Sequence, residues 1–420
     1  MLESSFERRL LRCSIAPRLS PHVMDCIYLD HNSTTPLLDE AAQAMADYEA
    51  NHFGNPSSQH RLGRRARQTL EDARVEIGQI LGANPTGREP DRVIFTSGGT
   101  EANNLFLLGM ARIYDADAAP GEAIISGIEH HSIVGAADVL ERRGWTIHRL
   151  GVTPDGVVDL GALDEWLTEK TRFVSVMLAN NETGVIQPVA EIAARCARFG
   201  VPMHTDAAQI IGKLPVDFRA LGVSAMTVAP HKFHGPIGTG ALIARHDLAI
   251  DPLLRGGFQQ EALRPGTEAV ALAVGLHAAL AAWQREGAKR TERLQSLRDR
   301  LVEGLAAGFD GELVVNGGEA PRLPNTANVG FVGLERQALL MALDLAGVAC
   351  STGSACASGS SEPSHVLSAM GCSKPVLTGS LRFSLGATTT REEIDEAVAR
   401  ITGVCGRMAT GRPILRPASQ

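Results

Sequence analysis

The chain has 420 residues, 44% of them hydrophobic and 21% charged, proportions that exclude disorder and collagen-like architectures and leave room for two or three domains. Its 40 basic against 47 acidic residues give a net charge of −7, which argues against a nucleic-acid binder built on a basic face. Only five basic residues are lysines, Lys170, Lys213, Lys232, Lys289 and Lys374, so amine chemistry has few candidates.

Residues 1–23 carry Arg8, Arg9, Arg12 and Arg18, and Arg12 interrupts the apolar run that a signal peptide needs. They read as a disposable N-terminal extension, either disordered or upstream of a true start at Met24; an Arg-rich transit peptide is the other reading, weakened by Glu3 and Glu7. From Ile27 onward short apolar runs alternate with helical periodicity. Arg92 to Phe95 reads as a strand and Thr100 to Ala111 as a helix, then Ala123 to Ile125 as strand and Ser132 to Arg143 as helix. Phe173 to Met177 is a further strand, followed by a helix over Val189 to Arg198 and strands at Pro202 to Thr205, Ala225 to Val228 and Gly240 to Ile243. This alternation predicts an α/β fold with a mostly parallel sheet flanked by helices. Ligands in such folds bind beyond the carboxyl ends of the strands.

After Thr267 the pattern changes. A long helical pattern runs to about Ala307, followed by strand-like Leu313 to Val315, Ala327 to Phe331 and Leu381 to Ser384, with helical patterns at Arg336 to Ala346 and Glu392 to Gly406. These predict a second, smaller α+β domain. The most apolar stretch, Ala269 to Trp283, contains His277 and is too short for a membrane span. Seven cysteines with no CxxC spacing argue against a disulfide framework and for a reducing, cytoplasmic compartment.

Four segments carry chemistry. Ala229-Pro-His-Lys-Phe-His-Gly-Pro236 follows a strand and puts Lys232 where a ligand would bind, so that its amine can form a Schiff base; the bland alternative is a solvated loop lysine. His231 and His234 make an HxxH, but no third ligand is apparent nearby and a zinc site is not expected. His204-Thr-Asp-Ala-Ala-Gln209 ends another strand, and Asp206 can pair with a protonated pyridine nitrogen or merely cap a helix. Phe95-Thr-Ser-Gly-Gly-Thr100 leads from a strand into a helix and offers backbone N–H groups to a phosphate, with Thr100 as a plain N-cap the alternative. Finally, the small-residue run Ser351 to Ser361 reads as a mobile loop carrying Cys356, a thiol that can swing into a site and attack as thiolate, with an idle loop thiol the alternative. Cys350, closing an apolar run, reads as a buried structural thiol.

Together with Tyr28-Leu-Asp-His-Asn-Ser-Thr-Thr-Pro36, Gly54-Asn-Pro-Ser-Ser58, Glu129-His130, Asn180-Asn-Glu-Thr-Gly184, Arg264-Pro-Gly-Thr267, Gly353-Ser-Ala-Cys356 and Leu381-Arg-Phe-Ser-Leu-Gly386, these motifs resemble the group I cysteine desulfurases of the NifS/IscS kind, within the class V aminotransferase family. The resemblance implies the aspartate aminotransferase-like type I pyridoxal phosphate fold. A large cofactor-binding domain would span 36–266, a small domain 24–35 and 267–408 including the catalytic-cysteine loop, and a tail 409–420.

Carried over by position, Lys232 would hold pyridoxal 5'-phosphate as a Schiff base, Asp206 would pair with the pyridinium, and Gln209 and Asn181 would bond the phenolic oxygen. His130 would stack on the ring and act in catalysis. Gly99, Thr100 and His231 would hold the phosphate, with Thr267 reaching in from a second subunit of a homodimer. Arg382 would take the substrate carboxylate, assisted by Asn32 or Asn181, and Cys356 would accept sulfur from L-cysteine. The persulfide would pass to an iron–sulfur scaffold or a thiolation relay, with no metal, nucleic acid or membrane involved. Two departures stand out: Ala229 occupies a position where the family has serine, and Ile237 alters a Gly-Pro-Lys-Gly turn. The alternatives are a selenocysteine lyase or another class V enzyme, or a degenerate, non-catalytic binding partner motivated by these two changes.

Overall fold

The computed structural model describes residues 26–115, 120–353 and 363–410. Twelve strands occur among them: β1 Ile27–Tyr28, β2 Arg92–Thr96, β3 Glu122–Ser126, β4 Thr146–Leu150, β5 Thr171–Ser175, β6 Met203–Asp206, β7 Ala225–Val228, β8 Gly240–Ala244, β9 Leu313–Val315, β10 Thr326–Phe331, β11 Val348–Ala349 and β12 Ser380–Ser384. Seven form one sheet in the order β2-β8-β7-β6-β5-β3-β4. All pairings are parallel except those of β8, which runs antiparallel to both β2 and β7.

The strands of this sheet are apolar on both faces because both are covered. Val93, Phe95, Ile124, Val174, Met226 and Ile243 point into one core, with the helices Arg61–Ile80 and Val189–Arg198. Their sequence neighbours Ile94, Ala123, Ile125, Phe173, Ala225 and Leu242 point into another, with the helices Gly99–Asp115 and His131–Arg142. The period of two along each strand thus sorts side chains between two helical layers. β2 lies at an edge, and Gln260 covers it, accepting from Phe95 N (2.7 Å) and donating to Phe95 O (2.9 Å).

A third core lies around the antiparallel sheet β12-β10-β9, the parallel pair β1-β11 and the helices Arg336–Leu345 and Arg391–Ala409. The 39-residue helix Val270–Gly308 serves two cores: Val270 to Leu280 packs with the large sheet, Leu294 to Leu305 with the small one. No helix among the described residues is long and apolar enough to cross a membrane.

Differences from the sequence reading are local. The strand expected at Phe173 to Met177 is Thr171–Ser175. The apolar run beyond it is a buried extension in which Val176 N and Leu178 N still donate to His204 O (3.1 Å) and Asp206 O (2.9 Å). The strand expected at Pro202 to Thr205 includes Asp206. The last helix closes at Ala409, inside the expected tail. The short strands β1, β4 and β11 and the helices Asp39–Asn51 and Arg61–Ile80 were not read from the sequence.

Candidate active site

At the carboxyl ends of β5, β6 and β7 lies a cavity of about 320 Å³, lined by 21 residues. It contains Asn32, Gly99, Thr100, His130, Asn181, Asp206, Gln209, His231, Lys232 and Arg382, residues up to 350 positions apart in sequence. Thr267 does not line it and is exposed at the surface. Cys356 lies outside the described residues, as does the extension 1–23.

Lys232 ends a single 3₁₀ turn, Pro230–Lys232, that follows β7 directly. Pro230 presets the turn with its fixed φ. The ammonium donates to two carbonyls of one loop, Asn32 O and Ser33 O, each at 2.7 Å. The neighbouring HxxH is split between jobs. His231 faces the cavity, and burial, followed by the charges of Lys232 and Lys213, lowers its pKa to about 4. His234 is tied to the backbone: its Nδ1 donates to Pro36 O at 2.9 Å and its Nε2 accepts from Ala387 N at 3.0 Å.

Asp206 closes β6. Its Oδ1 accepts from Ala208 N (2.9 Å), and its Oδ2 accepts from Asn103 Nδ2 (2.7 Å). No helix follows at once, so the carboxylate is not an N-cap; it bends the chain in an Asx turn. Asn103 was missed by the sequence reading, yet it stands one helical turn after Gly99 and faces the same way. It also donates to Ser132 Oγ (2.8 Å). His130 caps the helix His131–Arg142, its Nδ1 accepting from Ser132 N (3.2 Å). Burial is the main cause of its lowered pKa, with the charges of Lys232, His131 and His365 adding to it against that of Asp206, so the imidazole sits neutral in the cavity wall. Below it Glu129 is fully buried and its pKa is pushed up to about 8 by desolvation.

The helix Gly99–Asp115 begins at Gly99, so Thr100 is its second residue rather than its cap. The first N–H groups of a helix have no intrahelical acceptor, and here they open toward the cavity. Glu101 stiffens the preceding turn, accepting from Ser97 N (2.6 Å) and Arg264 Nε (2.9 Å).

The Asn180-Asn181-Glu182-Thr183-Gly184 turn is organised by Asn180. Its Oδ1 accepts from Glu182 N, Thr183 N and Thr183 Oγ1, and its Nδ2 donates to Ile128 O. This turns Asn181 into the cavity, where Arg382 on β12 donates to its carbonyl (2.9 Å). Arg382 is 2% exposed and also holds Asp30 Oδ1 (2.7 Å), Ser33 Oγ (2.8 Å) and Gly353 O (3.3 Å). Glu182 accepts from Ser364 Oγ (2.5 Å) and lies against Gly353, where a Cβ would stand 2.7 Å from its Oε2. Both described ends flanking residues 354–362 therefore meet at Glu182. Cys350 is partly buried against the small core and its thiol pKa is raised by burial, which leaves little thiolate.

An amine, a carboxylate, a helix N-terminus and a buried guanidinium converging beyond parallel strands suit an amino-acid substrate and an anionic cofactor. Residues 27–397 match the aminotransferase class-V family. The chain belongs to that family. It is 44% identical over 386 residues to an IscS-like cysteine desulfurase of Mycobacterium tuberculosis, covering 90% of this chain and 96% of that protein. It is 38% identical to the cysteine desulfurase NifS of Azotobacter vinelandii, covering 92% and 94%. Among solved structures, a NifS-like protein from Rickettsia africae superposes with a TM-score of 0.81 at 32% identity, covering 90% and 99%.

Membership of this family implies pyridoxal phosphate, and the residues present fit it. Asn181 Oδ1 faces the cavity, buried and without a hydrogen-bond partner. The space over the Gly98-Gly99 turn exists because both lack a side chain: a Cβ on Gly99 would meet the Ala229 methyl at 3.2 Å. That methyl lines this side of the cradle with carbon.

Proposed function

We infer that the chain is a pyridoxal-phosphate-dependent cysteine desulfurase, converting L-cysteine to L-alanine and leaving the sulfur as a persulfide on the enzyme. The observation that carries this reading is the single cavity shared by a strand-end amine, Lys232, a strand-end carboxylate, Asp206, and the buried guanidinium of Arg382.

The cofactor, when bound, supplies an electron sink conjugated to the substrate Cα. The residues that would hold it are Gly99, Thr100 and His231 for the phosphate, Asp206 for the ring nitrogen, Asn181 and Gln209 for the phenolic oxygen, and His130 for the ring, with Lys232 as the linking amine. Asp206, fixed by Asn103 and Ala208, keeps a proton on the ring nitrogen. Arg382 receives the substrate carboxylate, with Asn32 and Asn181 beside it. Lys232 would be the base for the Cα proton, and the carbonyls of Asn32 and Ser33 orient its Nζ. Cys356 accepts the sulfur: the C–S bond of cysteine breaks, an S–S bond forms at the Cys356 sulfur, and protons return to carbon to give alanine. Cys356 is three residues beyond Gly353, a reach of at most about 11 Å from the cavity lining.

The enzyme works as a homodimer. Phe53 and Phe258 are 76% and 94% exposed, large apolar side chains suited to burial against a second copy, and Phe258 shares a surface cleft with Glu268, the residue next to Thr267. The sulfur acceptor is a protein such as an iron–sulfur scaffold or a thiolation relay. The test is turnover of L-cysteine by the reconstituted protein, with alanine and protein persulfide measured together. Cys356→Ser is expected to stop both products while the cofactor stays bound. Undiminished turnover by that variant, or borohydride fixing the ring to a peptide without Lys232, would overturn the assignment, and a monomeric, fully active enzyme would refute the dimer.

A further inference from the structure

Four of the five lysines are exposed or half-buried; Lys213 is 4% exposed, and nothing in the reaction above uses it. Burying an amine is costly unless its donors are used. Its Nζ donates to Gln209 Oε1 at 2.9 Å and to Asn32 Oδ1 at 3.2 Å. Both acceptors are neutral amides, and the nearby charges of Lys232 and Arg382 are positive; burial first, and those charges second, hold its pKa well below the ordinary lysine value.

The lysine is clamped from two sides. Its carbonyl accepts from Thr291 Oγ1 on the long helix (2.7 Å). Gly212 before it, at φ +77°, packs so closely on Phe233 that a Cβ would lie 2.2 Å from the Phe233 Cβ. The turn bearing Lys213 therefore rests on the turn bearing Lys232.

We propose that Lys213 is a positioning residue, which fixes the direction of the Gln209 and Asn32 amides in the cavity wall. A side-chain amide can present either its oxygen or its N–H₂ group to a given side. Lys213 Nζ acts here as the donor, so Gln209 turns Oε1 toward it and Nε2 away. That Nε2 then donates to Asn32 O (3.0 Å), the same carbonyl that receives the Lys232 ammonium. Asn32 is locked likewise: Oδ1 accepts from Lys213 and Asn325, and Nδ2 donates to Thr326 Oγ1 and Asn181 O. Without the amine Gln209 is held only by its Nε2 bond to Asn32 O, so a flip that offers the cavity an acceptor in place of a donor costs one hydrogen bond fewer.

The proposal rests on the reading of the cavity as a pyridoxal phosphate site, and its test separates the two. The dissociation constant of pyridoxal phosphate and the absorption spectrum of the bound form are measured for the parent chain, Lys213→Met, Gln209→Met and the double variant. Lys213→Met is expected to weaken cofactor binding about tenfold, the worth of one buried hydrogen bond, and to shift the spectrum. In the Gln209→Met background the same change is expected to cost threefold or less, because the amide it orients is gone. Lys213→Gln, which keeps a donor, is expected to recover most of the loss. Equal affinity and spectrum in parent and Lys213→Met, or an undiminished tenfold loss in the Gln209→Met background, overturns the proposal. A parent chain that binds no pyridoxal phosphate overturns the underlying reading instead. If Lys213→Met does not fold, Lys213→Leu, which also removes the donor and keeps much of the bulk, replaces it with the same outcomes.

Discussion

Glu129 sets up a measurable conflict between pH and stability. Its Oε1 accepts from Ser126 Oγ (2.5 Å) and Met177 N (2.8 Å), while Oε2 is buried with no partner. Desolvation, only partly opposed by those bonds and reinforced by Asp206, raises its pKa from 4.5 to about 8. A carboxyl whose folded pKa is raised is bound to its proton longer in the native state than in the unfolded one. The contribution of this group to stability is therefore fullest below about pH 4.5, falls as pH rises from there to 8, and levels off above. A shift of that size corresponds to about 5 kcal/mol lost across the window. Glu129→Gln removes the titration and keeps an oxygen for Ser126 and Met177. Its new N–H₂ lacks an acceptor, at a cost of about 1–3 kcal/mol, which leaves a net gain of about 2–4 kcal/mol at pH 9. For a chain of this length, about 1 kcal/mol moves Tm by roughly 1 °C. Calorimetry on cofactor-free protein at pH 6 and pH 9 is expected to show the variant melting about 2–4 °C higher at pH 9, with less or no gain at pH 6. A variant that melts lower than the parent at pH 9, or a gain independent of pH, would refute the reasoning.

Three further outcomes are expected. Arg382→Lys, which replaces a planar fork by a point charge, raises KM for L-cysteine about tenfold or more in steady-state assays while the cofactor stays bound. Asp206→Asn leaves Lys232 linked to the cofactor, as borohydride trapping reports, but lowers kcat about 100-fold or more. Asn180→Ala strips the donors and acceptors that shape the Asn180–Gly184 turn, and costs about 3 kcal/mol or more in denaturant unfolding of the cofactor-free protein.

The placement of Lys232 and Asp206 was legible in the sequence because Asp206 closes one strand and Lys232 follows another, and a strand-end position carries its own meaning in a parallel α/β sheet. The two layers of the large sheet were legible for the same reason, through alternation of period two. Asn103 left a trace, four residues after Gly99 on one helical face. Lys213 left none. Its contact with Asn32 joins residues 181 apart, and nothing in the local pattern separates a lysine that plunges inward from one that is solvated. The same holds for Glu182, whose partner Ser364 is 182 residues away. The strand boundary at Ser175 was misjudged because Val176, Met177 and Leu178 are as buried as the strand itself; hydrophobicity reports burial, not hydrogen-bond register.

The helix Val270–Gly308 has a mechanical consequence. Thirty-nine residues make a rod of roughly 58 Å, with one half cemented into each of two hydrophobic bodies. Midway, Arg290 lies over Trp283 and Thr291 grips the carbonyl of Lys213. Any movement of those bodies apart has to flex this shaft or shear one end of it out of its seat, and the main chain at Lys213 is fastened midway along it.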